Sequence, residues 1–161
     1  MDKKEALENI LSDGSGFESL PDEFKNDKEI VLEAVKNGGY VLQYVDDIFK
    51  KDKEVVLVAI KEWGSALQYA DDSLKKDKEV VLEAVKNRGD SFDYVHDSLK
   101  NNKDVIIEVL RQGYEEPFEY ISDELKKDKE FFLELVKSNG KYLKFADKSL
   151  KKNKEIVEAA I

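Results

Sequence analysis

Lysine stands at positions 3, 28, 53, 78, 103, 129 and 154, each time directly after an aspartate or asparagine, and in pairs at 50 and 51, 75 and 76, 126 and 127, and 151 and 152. Ammonium groups beside outward-pointing backbone N–H groups at helix N-termini are one way to hold a phosphate or another polyanion. The same edge also carries acid, as at Asp77 and Glu79. A solvated edge that neutralises itself is therefore the expectation, and a polyanion-binding edge the alternative.

A second series is aromatic: Tyr44, Tyr69, Tyr94, Tyr120 and Phe145. Regular rings can stack bases or peptide side chains, but recurrence itself points to rings packed between neighbouring units with the hydroxyl at the rim. Aromatic residues that break the pattern are more informative. Tyr40 stands where Ser65 and Asp90 stand, and Trp63 where Asp13, Gly38, Arg88, Gly113 or Asn139 stands. Tyr114 lies in a turn enlarged by one residue, followed by Glu115 and Glu116. A position that accepts charge is expected to be exposed, and exposed rings on a rigid frame are typical anchors for a partner. Tyr40, Trp63, Tyr114, Glu115 and Glu116 are therefore the candidate interaction residues. The alternative is that each ring folds back over the adjacent glycine turn.

Nothing comparable points to catalysis, which needs a pocket and groups held away from their ordinary behaviour. His96 is the only histidine and occupies the position of Asp71 in the preceding unit, which reads as a surface substitution. No phosphate-binding loop, dinucleotide fingerprint or histidine pair at metal-ligand spacing occurs, so no catalytic residue, cofactor or metal ligand is assigned. Without cysteine there is no disulfide framework and no thiolate site.

The elements that position these residues repeat. Asp2, Asp27, Asp52, Asp77, Asn102, Asp128 and Asn153 open successive units in steps of 25 residues, with one step of 26. A fixed period in this range marks an all-α solenoid, here tandem short helix pairs: one array over residues 1–161, six pairs and a closing helix. In the unit 77–100, Asp77 caps a helix whose apolar residues are Val80, Val81, Leu82, Ala84 and Val85, and Gly89 is expected to end it in a left-handed turn. Phe92, Val95 and Leu99 share one face of the second helix, as do Leu42, Val45 and Phe49, Leu67, Ala70 and Leu74, Phe118, Ile121 and Leu125, and Leu143, Ala146 and Leu150. Asp71, Ser122 or Asp147 can restart that helix by capping. Glu5 and Asn9 replace Ile30 and Ala34 in the first unit, and Glu158 replaces Leu82 and Leu133 in the last. Ile30 and Ala34 are thus expected to face the preceding unit and Leu82 the following one, with a near-complete array as the reading and an arbitrary cut as its alternative. In the fifth unit the insertion lies between Gln112 and Pro117, and Pro117 is placed to start the second helix.

The segments Leu67-Gln68-Tyr69-Ala70, Asp77-Lys78-Glu79-Val80-Val81-Leu82 and Ser122-Asp123-Glu124-Leu125-Lys126 resemble the repeats of a family described as domain of unknown function 4116. The resemblance implies an all-α repeat architecture and carries no catalytic residue or ligand. Ser19, where the tyrosine column loses its ring, and the inserted turn depart from it.

The totals narrow the function classes. With 41% hydrophobic and 39% charged residues, the chain suits a thin structure with much surface. A net charge of -9 argues against general nucleic-acid binding. Met1 leads into a charged run and no apolar stretch would span a membrane. The expected compartment is the cytoplasm, with export lacking a cleaved signal as the alternative, and oligomeric state has no signature. The expectation is an interaction module for a macromolecule, a protein partner first. The alternatives are an acidic mimic that blocks a nucleic-acid-binding protein, and a phosphate or polyanion binder on the lysine edge.

Overall fold

Every first helix begins one residue after a polar cap. In the computed structural model, which describes residues 1–161, these helices are Lys3–Ile10, Lys28–Asn37, Lys53–Glu62, Lys78–Asn87, Lys103–Arg111, Lys129–Ser138 and Lys154–Ala159. Oδ1 of Asp77 accepts from the N–H groups of Glu79 and Val80 at 3.0 and 3.2 Å. Asn102 does the same for Asp104 and Val105. Such caps satisfy donors that the helix leaves unpaired and are each worth about 1 kcal/mol.

The chain forms two compact units, Met1–His96 and Asp97–Ile161. Within Met1–His96 the first helices pack on one another in chain order, and the segments that follow them form a second row. Ile30, Val31, Ala34, Val35, Val55, Val56, Ala59 and Ile60 are fully buried in this stack. Glu5 and Asn9, which replace two of these columns in the first helix, are exposed. Leu82 is less buried than its apolar neighbours, because the buried stripe of its helix is Val80, Val81, Ala84 and Val85. At 100° per residue, Leu82 lies beyond the edge of that stripe and is half-buried, as are Leu32 and Leu57. Asp97–Ile161 has its own core, which includes Ile106, Leu110, Ile121, Leu125, Phe132 and Ile156.

The second half of each repeat is divided as its caps anticipate. Gly64–Tyr69 is a 3-10 segment, Ala70 is extended, and Asp72–Lys75 is a single α-turn. Asp71 accepts from Ser73 N–H at 3.0 Å, Ser122 from Leu125 N–H at 3.2 Å and Asp147 from Ser149 N–H at 2.9 Å. The first piece is a 3-10 segment and not the α-helix read from the sequence, a form common in short connecting pieces. Its apolar face is buried all the same, at Leu67, Ala70 and Leu74 and at Leu42, Val45 and Phe49. The break also exposes an N–H that ties neighbouring repeats together. Asp71 donates to the Lys50 carbonyl at 3.0 Å, His96 to Lys75 at 3.2 Å and Asp147 to Lys126 at 3.0 Å.

The recurrent glycine has a different cause from the one expected. Gly14 and Gly113 alone are left-handed, at φ 78 and 86°. Elsewhere the first helix ends on an extended residue, such as Gly38 or Trp63. The glycine after it lies hard against the next first helix: a Cβ on Gly39 would come within 2.4 Å of the Ala59 carbonyl oxygen, and one on Gly64 within 2.6 Å of that of Ala84. Close approach, not backbone handedness, selects glycine there.

Candidate functional site

The lysine column is a ladder between repeats. Lys53 Nζ lies 2.8 Å from Asp77 Oδ2 and 2.7 Å from Glu79. Lys28 meets Asp52 at 2.6 Å and Glu54 at 2.8 Å, and Lys3 meets Asp27 at 2.8 Å and Glu29 at 2.6 Å. In Asp97–Ile161, Lys103 pairs with Asp128, and Lys129 with Glu155 at 2.5 Å. The cap aspartate thus divides its labour: Oδ1 closes its own helix while Oδ2 receives the lysine of the repeat before. The Lys53 ammonium, against the opposing effect of burial, holds the Asp77 carboxyl below its ordinary 3.8. The two carboxylates together raise Lys53 above 10.5. On the rungs of Lys3, Lys28 and Lys53, two carboxylates per ammonium leave no surplus cation for a polyanion. The paired lysines lean on acid too, Lys50 on Asp47 at 3.4 Å and Lys126 on Asp123 at 3.3 Å.

Tyr40 folds towards the turn that carries it, and Trp63 packs between the preceding repeat and Tyr69. A Cβ on Gly38 would meet the Tyr40 ring at 2.8 Å, and burial raises the Tyr40 phenol above 10.0. Trp63 packs its Cβ above Gly39, and its ring is tilted against Tyr69 at a centroid distance of 6.2 Å. Both residues are half-buried. The regular column is mixed: Tyr69 leans on Trp63 and Phe145 on Phe118, whereas Tyr44 and Tyr120 keep 42% and 37% of their surface exposed.

The enlarged turn brings together more than its own residues. Left-handed Gly113 leads to Tyr114, 43% exposed, and to exposed Glu115 and Glu116. Pro117 then enters the 3-10 segment Glu116–Glu119 and is buried. Phe118 and Phe145 stack with centroids 3.6 Å apart at 14°. Tyr142, buried beside them at 5.2 Å from Phe118, donates its hydroxyl to the Leu110 carbonyl at 2.9 Å. A cleft of about 390 Å³ opens over the stack, lined by Glu115, Glu116, Phe118, Glu119 and Phe145. Lys144 places Nζ 4.5 Å above the Phe145 ring and 3.5 Å from Glu115. Sequence reasoning found Glu115 and Glu116 here but assigned Phe118 to an apolar triad and Phe145 to the aromatic column. The available signal was phenylalanine at 145, where the four preceding repeats of that column have tyrosine.

Tandem units of a capped helix, a 3-10 segment and a short turn, tied together by a lysine ladder, define an all-α repeat protein. More particularly, the chain belongs to the family described as domain of unknown function (DUF4116), whose model matches residues 2–50, 52–100, 77–126, 102–148 and 128–161. Comparison with curated proteins gives no match, and comparison with solved structures gives none. No helix is long and apolar enough to cross a membrane.

Proposed function

We propose that the chain is a protein-binding helical repeat module, not an enzyme, and that it presents the 113–119 turn with the adjoining rings to its partner. The supporting observation is the open cleft over the Phe118–Phe145 stack, with Tyr114 exposed in the same turn. Rings that are fixed by packing beneath and open above supply contact area at little entropic cost, as interaction anchors do. Asp27, Asp77 and Asp128, whose carboxyls are held below their ordinary range, are held there by ladder lysines and so serve the frame. The Tyr40–Trp63 edge is a weaker candidate because both residues are already half-buried.

A photo-crosslinking residue placed in turn at Glu119, Tyr40 and Lys61, in cells that naturally make the chain, tests the assignment. Glu119 should give a discrete protein adduct that Phe118→Leu abolishes, since leucine fills the same column at positions 42, 67 and 143 and so preserves the fold. No adduct from Glu119, or the same adducts from all three positions regardless of Phe118, would refute the role.

A further inference from the structure

We infer that the cleft over the Phe118–Phe145 stack is an arginine socket, which takes a guanidinium from an exposed segment of a partner protein in competition with Lys144, a neighbour of Phe145 and Glu115. The assignment rests on the interaction role proposed above and gives that role a chemistry. A cleft of about 390 Å³ is of the size that receives a side chain or small ligand. One surface of it is aromatic and three of its five lining residues are glutamates, Glu115, Glu116 and Glu119. Such a lining repels phosphate and nucleic acid and favours a cation, by ring quadrupole and carboxylate together.

Lys144 reports that preference from within the molecule. Its Nζ lies 4.5 Å from the Phe145 centroid, inside the range of a cation–π contact, and 3.5 Å from Glu115. The internal contact is also easy to displace, because the Lys144 side chain is 58% exposed and that of Glu115 49%. A guanidinium suits the place better than an ammonium. It is planar enough to lie on the ring, less strongly hydrated, and able to donate two parallel hydrogen bonds to one carboxylate.

The experiment uses the full chain labelled at phenylalanine rings and titrates it with an end-blocked Gly/Ser peptide carrying one arginine, followed by NMR. A control peptide carries citrulline, which keeps the shape and removes the charge. The arginine peptide should shift the Phe118 and Phe145 ring signals saturably, and citrulline should bind about tenfold more weakly. Lys144→Gln should tighten arginine binding by about twofold or more, because the internal competitor is gone. Equal binding of the citrulline peptide, no saturable shift at the two rings, or weaker binding to Lys144→Gln would each overturn the socket. If those results came with a Phe118-dependent adduct at Glu119, the guanidinium would fall and the interaction role would stand; with no adduct, both would fall.

Discussion

Asp77 carries two loads on two oxygens, and they can be separated. Asparagine at this position keeps the cap, as Asn102 and Asn153 do in their own repeats, and removes the charge that holds Lys53. The folded carboxyl lies below its unfolded value, so its contribution is complete above about pH 3.8 and is lost as pH falls through the lowered value. Lys53 lies above 10.5 when folded, so its share is complete below that value and is lost as pH rises through the raised one. Asp77→Asn should therefore lower the urea midpoint at neutral pH and flatten, without abolishing, the acid limb of stability, since Asp27 and Asp52 keep their lysines. Added salt should shrink the difference, the pair being partly solvated. An acid limb identical to that of the parent would mean that Lys53 and Asp77 do not interact in solution.

At the scale of the element, the difference between what was legible and what was not follows from sequence distance. The cap and the break before Asp72 are each written within a few neighbouring residues, and the period is plain recurrence along the chain, so the sequence states them. The ladder from Lys53 to Asp77, the cleft at Phe118 and Phe145, and the reason for Gly64 join residues a repeat apart and need the register between repeats. The partial burial of Leu82 was not legible for a related cause: the ends of the chain identify which columns change, but not how wide the buried stripe is. Two substitutions on one helix test that stripe and its neighbour. Ile60→Ala removes a fully buried side chain and should cost about 2–5 kcal/mol, whereas Leu57→Ala, half-buried on the same helix, should cost clearly less. Gly64→Ala places a methyl 2.6 Å from the Ala84 carbonyl oxygen and should cost about 1–3 kcal/mol by overpacking. Chemical denaturation of the three variants is sufficient, and a neutral Gly64→Ala would show that the repeats are not in contact at that point.

For the whole molecule, the repeat makes a stronger demand, namely that one interface can replace another. If residues 52–76 are deleted, Lys51 is followed by Asp77, and the partners lost with this third repeat of Met1–His96 have successors of the same type. Lys28 exchanges Asp52 and Glu54 for Asp77 and Glu79. Gly39 meets the carbonyl of Ala84 in place of that of Ala59. The Lys50 carbonyl receives the N–H of His96 in place of that of Asp71. The apolar columns are also kept, since Val80, Val81, Ala84 and Val85 stand where Val55, Val56, Ala59 and Ile60 stood, all of them fully buried. Stability in such an array is approximately a sum of repeats and nearest-neighbour interfaces, so one of each is lost. The shortened chain should keep the parent's helical ellipticity per residue and unfold cooperatively, with a lower thermal midpoint. A soluble but unfolded product would mean that stability depends on cooperation beyond nearest neighbours, and the agreement among the ladder, the glycine contacts and the carbonyl ties would then be insufficient to specify the stack.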